Sequence, residues 1–126
     1  MTSDNDVTVF RPGGITYVHI PARDAQQSAA FYETVFGWDI RGDPTRPSFS
    51  DSTGHVIGAW VTDIPVVGHG GVLLYVYVND VEHTLTTAQR HGGAVVQPPY
   101  PEGDLTVATF RDPAGTVLGV WEPGHP

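Results

Sequence analysis

Neither cysteine nor lysine occurs anywhere in the 126 residues. Without cysteine there is no disulfide framework, no thiolate zinc site and no cysteine nucleophile. Without lysine there is no Schiff-base chemistry and no phosphate-cradling lysine of a P-loop. Positive charge is scarce as well, the formal net charge being −8. That sign repels phosphate backbones and anionic lipid surfaces, so neither nucleic acid nor membrane is expected as a partner. Solubility accounts for the excess acid first, and attraction of a cationic small molecule second. No run approaches the roughly eighteen consecutive apolar residues of a membrane-spanning helix. The start, MTSDNDVTVFRPGG, has neither a basic nor an apolar leader region, and the expectation is a soluble, cytoplasmic protein. A hydrophobic content of 40% in this length suits one compact domain with a modest core.

What the chain does have is a repeat of itself. DSTGHVIGAW matches DPAGTVLGVW letter for letter at Asp51 and Asp112, Gly54 and Gly115, Val56 and Val117, Gly58 and Gly119, and Trp60 and Trp121, with Ile57 opposite Leu118. Upstream of each lies an alternating run ending in aspartate, YVHIPARD to Asp24 and LLYVYVND to Asp80. Thirteen positions separate Asp24 from Gly37 and, equally, Asp80 from Gly93.

Each interval of that length predicts one helix. Asp24 and Asp80 stand where an N-cap accepts the first free amide hydrogens. Phe31, Val35 and Phe36 form one apolar face, and Val81, Leu85 and Ala88 the other. Gly37 and Gly92-Gly93 are the expected C-caps. Short β-type runs follow, separated by turn signals at Gly42-Asp43-Pro44, Ser52-Thr53-Gly54, Pro98-Pro99, Glu102-Gly103-Asp104 and Pro113-Ala114-Gly115. The reading is an α+β chain of two tandem β-α-β-β-β modules, residues 14–63 and 72–126, with a linker over 64–71 and a loosely held tail over 1–13.

Two such modules, with FYETVFGW closing the first helix and RDPAGTVLGVW in the last hairpin, resemble the vicinal oxygen chelate superfamily of glyoxalases, bleomycin-resistance proteins and dioxygenases. The resemblance spans roughly residues 14 to 122 and implies a curved mixed sheet whose concave face forms a ligand cleft, commonly in a homodimer. In metal-dependent members, the first and last strands of each module supply His, Glu or Gln ligands to a divalent ion. Counting seven residues back from Asp24 and Asp80, and seven on from Asp51 and Asp112, puts Tyr17, Leu73, Gly58 and Gly119 at those four places. No metal and no other cofactor is therefore expected.

Strand parity then predicts the lining of the cleft: Tyr17 and His19, Trp60 beside Gly58, Tyr75 and Tyr77, and Trp121 beside Gly119. On this expectation the two glycines open floor space beside the tryptophans for a flat ligand. His55, His69, His83, His91 and His125 fall in turns, linker, helix and tail. Ser48, Ser50 and Thr106 are candidate hydrogen-bonding groups, without a G-x-S-x-G elbow to make any of them a nucleophile. Tyr100, in the stiff segment VVQPPYPEGD, is a candidate rim residue.

Two classes of function remain. One is a metal-independent protein binding a small aromatic molecule, antibiotic- or natural-product-like, with a cationic one as the variant that the acidic charge favours. The other is an enzyme of glyoxalase-like or natural-product-modifying type, in which His19 moves a proton and Tyr75 or Tyr77 holds an oxygen.

Overall fold

The computed structural model describes residues 11–68 and 70–124. The expected tail lies outside these residues except for 11–13, as do His69 and His125. The elements run in the order β1 (Tyr17–Pro21), α1 (Ala25–Phe36), β2 (Asp39–Asp43), β3 (Arg46–Ser50), β4 (Ile57–Val61), β5 (Tyr75–Tyr77), α2 (Val81–Arg90), β6 (Ala94–Glu102), β7 (Leu105–Arg111) and β8 (Val117–Pro123). Each half makes a four-stranded mixed sheet, in the orders β1-β4-β3-β2 and β5-β8-β7-β6. β1 runs parallel to β4 and β5 parallel to β8, while the remaining pairs are antiparallel. A parallel pair needs a crossover, and the helix between its strands is part of it.

The caps explain where the helices begin. One carboxylate oxygen of Asp24 accepts from the amides of Gln26 and Gln27 at 3.1 and 3.2 Å. Asp80 accepts from His83 at 3.0 Å. Gly37 ends α1 in the left-handed region at φ 72°, a conformation that costs glycine nothing. α2 stops earlier than its glycines suggest: His91 is the C-cap, and Gly93 returns its amide to the Ala88 carbonyl at 2.8 Å.

One further element departs from the sequence reading. Pro98-Pro99, expected as a turn, lies inside β6, which runs unbroken to Glu102. The ladder to β7 slips twice, between Val95 and Gln97 and between Gln97 and Tyr100. β6 is an edge strand, where a residue without an amide hydrogen costs no central ladder bond.

A single apolar core joins both sheets to both helices, built around Ile20, Phe31, Tyr32, Trp38, Phe49, Trp60, Leu85, Phe110, Leu118 and Val120. Trp38 stacks on Phe49 at 4.6 Å, and Phe31 of α1 meets Phe110 of β7 at 6.1 Å, so the halves share packing. One polar link is buried with them: the Tyr32 hydroxyl donates to Asp112 at 2.7 Å. The helices pack against the sheets from the side that holds this core.

Candidate functional site on the open sheet faces

In the second half the ladder assembles one face in rows. Tyr75 lies beside Gly119, Thr109 and Gln97. Tyr77 lies beside Trp121, Val107 and Tyr100. Directly paired residues point to the same side of a sheet, so Tyr75, Tyr77, Tyr100 and Trp121 share this face. The Tyr77 and Trp121 rings are 4.9 Å apart, inclined by 57°. Tyr77 is 55% exposed and Tyr75 43%, which for large aromatic residues marks an uncovered surface.

Gly119 contributes differently from the expected open floor. A Cβ there would fall within the Tyr75 ring, so the space is already taken by this chain's own tyrosine, lying across β8. The glycine seats Tyr75. Burial pushes the Tyr75 hydroxyl above its ordinary value of 10.0, and the adjacent Tyr100 hydroxyl and Glu102 carboxylate push it the same way. Tyr75 is therefore a neutral phenol at physiological pH, able to donate a hydrogen bond to a ligand oxygen.

The first half presents a different surface. Tyr17 pairs with Ile57, and His19 with Ala59 and through it Ser48, so these form the open face. Gly58 and Trp60 occupy the intervening positions of β4 and point toward α1. Trp60 is 4% exposed and packs on Phe49 at 4.9 Å and Tyr32 at 5.5 Å. A Cβ on Gly58 would strike the Val18 carbonyl and the Phe49 ring. The placement of Trp60 and Gly58 in the cleft is thereby corrected: both belong to the core. The cause is the hairpin before β4, whose length sets which side chains face which way.

His19 meets Tyr17 edge to face at 5.1 Å, and no carboxylate among the described residues hydrogen-bonds it. It borders a cavity of about 350 Å³ together with Ile20, Leu74, Leu118, Pro65 and Val67. Tyr75 and Tyr77 border another, of about 580 Å³, with Phe36, Trp38, Asp51 and His83. The three residues expected to share chemistry thus open onto different cavities. Thr106 spends its hydroxyl on the Gly124 carbonyl at 2.7 Å, on the helix side of its sheet, and Ser50 is buried.

A metal of the kind the resemblance implies finds few donors. On the open faces of β1, β4, β5 and β8 stand Tyr17, His19, Ile57, Ala59, Tyr75, Tyr77, Gly119 and Trp121, of which His19 alone is a ligand of the His, Glu or Gln type. Among the described residues no three His, Asp or Glu side chains converge to hold an ion. These residues do not fit that centre.

Tyr100 and Glu102 are the site residues that sequence reasoning placed least well. Counting along a strand finds faces only while the alternation is unbroken, and the two slips in β6 break it. The prolines at 98, 99 and 101 were the one available signal of irregularity.

With module order and sheet topology established, the class is an α+β fold of two tandem β-α-β-β-β modules. Residues 14–120 match the family model described as the Glyoxalase/Bleomycin resistance protein/Dioxygenase superfamily, and the chain belongs to that family. A glyoxylase-like domain-containing protein from Didymella fabae is 29% identical over 89 residues, 64% of this chain and 70% of that one. Among solved structures, a glyoxalase/bleomycin resistance protein/dioxygenase family enzyme from Burkholderia phytofirmans PsJN superimposes with a TM-score of 0.72 at 21% identity, over 86% of this chain and 97% of that one. TnmS3, an antibiotic binding protein from Streptomyces sp. CB03234, gives 0.71 at 21% identity, over 92% and 100%. At these identities the two structures speak for the fold. No helix is long and apolar enough to cross a membrane among the described residues.

Proposed function

We propose that the protein binds a small planar aromatic molecule, of the antibiotic or natural-product kind, on the open face of its second module and without a metal ion. The observation that carries this reading is the grouping of Tyr75, Tyr77, Tyr100 and Trp121 on one sheet face, with Tyr75 and Tyr77 exposed and Tyr100 and Trp121 partly so. Stacking on such rings adds about 0.5 to 1.5 kcal/mol per pair beyond the apolar area removed from water. That the structurally similar TnmS3 is an antibiotic binding protein supports the same reading. A cytoplasmic homodimer belongs to it too, with exposed Ile15 and Val72 available for the contact, and light scattering checks it.

The chain carries its own reporter. Trp38 and Trp60 are buried, whereas Trp121 is only partly covered and lies on the proposed site. Titration with polycyclic aromatic natural products should quench tryptophan fluorescence saturably, and Trp121→Phe should remove most of that quenching. Tyr77→Ala should weaken binding about tenfold. Binding that ignores both substitutions, or no binding across the panel, overturns the proposal. An enzyme using His19 as acid or base, with Tyr75 or Tyr77 orienting an oxygen, is the competing reading. The separate cavities of His19 and the tyrosines weigh against it.

A further inference from the structure

We propose that the ligand of this face is an organic cation, an aromatic ring system bearing a permanent or protonated nitrogen, with Glu102 as its counter-charge. This rests on the aromatic site proposed above and specifies what that site selects.

Glu102 pairs with Leu105 on β7, and Leu105 with Pro123 on β8, one row beyond Tyr100, Val107 and Trp121. Two residues along a strand return to the same face, so the carboxylate belongs to the surface that carries the rings. Burial first, then the Tyr100 hydroxyl and the Glu102 carboxylate, raise the Tyr75 hydroxyl above its ordinary value. No hydrogen bond or ion pair within the described residues occupies the Glu102 carboxylate.

The nearest cation of the protein on the same face is Arg111, four residues along β7 from Val107 and so about 13 Å away. Its guanidinium lies against Gly68 of the linker. A ring face is the negative part of an aromatic quadrupole, and three phenols and an indole offer four such faces beside one unpaired carboxylate.

The alternatives fit less well. A neutral polycycle covering the rings would shield Glu102 from water and supply nothing in exchange. An anion would meet repulsion from Glu102, from the ring faces and from a net charge of −8. A cation gains from all three.

Calorimetric titration with one tricycle in two charge states tests the inference: 10-methylacridinium, and acridine at a pH where it is uncharged. The cation should bind about tenfold more tightly at low salt, and the preference should shrink as salt rises. Glu102→Gln, on an exposed position, should remove most of the preference by weakening the cation more than acridine, and Tyr77→Ala should weaken both. Equal affinities for the two probes, or equal loss of both in Glu102→Gln, overturns the cation assignment alone. Failure of both probes to bind overturns the aromatic site, and this inference with it.

Discussion

The two halves of the molecule share five letters of a ten-residue segment and use them in opposite ways. DSTGHVIGAW puts its tryptophan into the core; DPAGTVLGVW puts its tryptophan on the open face. The difference lies in the preceding turn. In the first half, Ser50 pairs with Ile57 across residues 51–56; in the second, Arg111 pairs with Val117 across residues 112–116, one residue fewer. The hydrogen bonds agree, since the Asp51 amide donates to the Val56 carbonyl and the Asp112 amide to the Thr116 carbonyl. A slip of one residue in a strand exchanges its faces. Ala59, not Gly58, is consequently the spatial counterpart of Gly119, and Trp60 stands where the second half has Val120. A turn longer by one residue, in segments of equal length, therefore buries the tryptophan of the first half and leaves that of the second on the open face.

The severest way to break this comparison is to equalise the turns. Deleting His55 should force β4 either to expose Trp60 or to leave its ladder. Either result removes packing worth about 5 kcal/mol, comparable to the whole stability of a small domain. Cooperative unfolding by urea should disappear, with the Trp60 contribution to fluorescence shifted to that of a solvated indole. A deletion variant that unfolds cooperatively with Trp60 still buried would show that the turn does not set the register.

The next test compares the tryptophans directly. Trp60→Ala should cost about 3 to 5 kcal/mol, because it empties a site enclosed by Tyr32, Phe49 and Ile20. Trp121→Ala, on a partly open face, should cost about 1 kcal/mol and be felt in ligand binding instead. Denaturant midpoints measure both. Equal costs would contradict the burial difference. Trp60→Phe should be milder than Trp60→Ala, for the indole nitrogen of Trp60 is buried without a hydrogen-bond partner among the described residues and the phenyl ring carries no such group.

Much of this architecture is legible in the sequence because it depends on local rules. Asp24 and Asp80 mark their helix starts through capping, and Val81, Leu85 and Ala88 mark a buried face through periodicity. Tyr75, Tyr77, Gly119 and Trp121 share a face as period-two counting requires. Counting failed where the rule was carried between strands by analogy. The match of Trp60 with Trp121 is real in the letters, but face identity passes through the turn, and the turns differ by one residue. Nor could the use of Gly119 be read off, since the Tyr75 ring that fills its space comes from another strand. Tyr100 and Glu102 lie beyond two slips that no alternation reveals.

The smallest effect concerns a link that only one half possesses. Tyr32 stands eight residues after Asp24; the same place after Asp80 is Ala88, so α2 has no hydroxyl to offer Asp51. Asp112 accepts the Tyr32 hydroxyl on one oxygen and the amides of Ala114, Gly115 and Thr116 on the other, at 2.9 to 3.0 Å. Tyr32→Phe should therefore cost about 1 to 2 kcal/mol at neutral pH. Burial nevertheless raises the Asp112 carboxyl above its ordinary 3.8, outweighing the hydrogen bonds from Tyr32, Thr116, Ala114 and Gly115 that lower it. A carboxyl raised in this way holds its proton more tightly folded than unfolded. Its stabilising contribution is complete below about pH 3.8 and is lost as pH rises through the raised value. Asp112→Asn cannot titrate, so the stability of the unaltered chain relative to this variant should decline between about pH 3.5 and pH 7, as read from urea midpoints at each end. A relative stability that instead grows over that window would show that the four hydrogen bonds favour the anion by more than burial opposes it, and that this turn is held by charge.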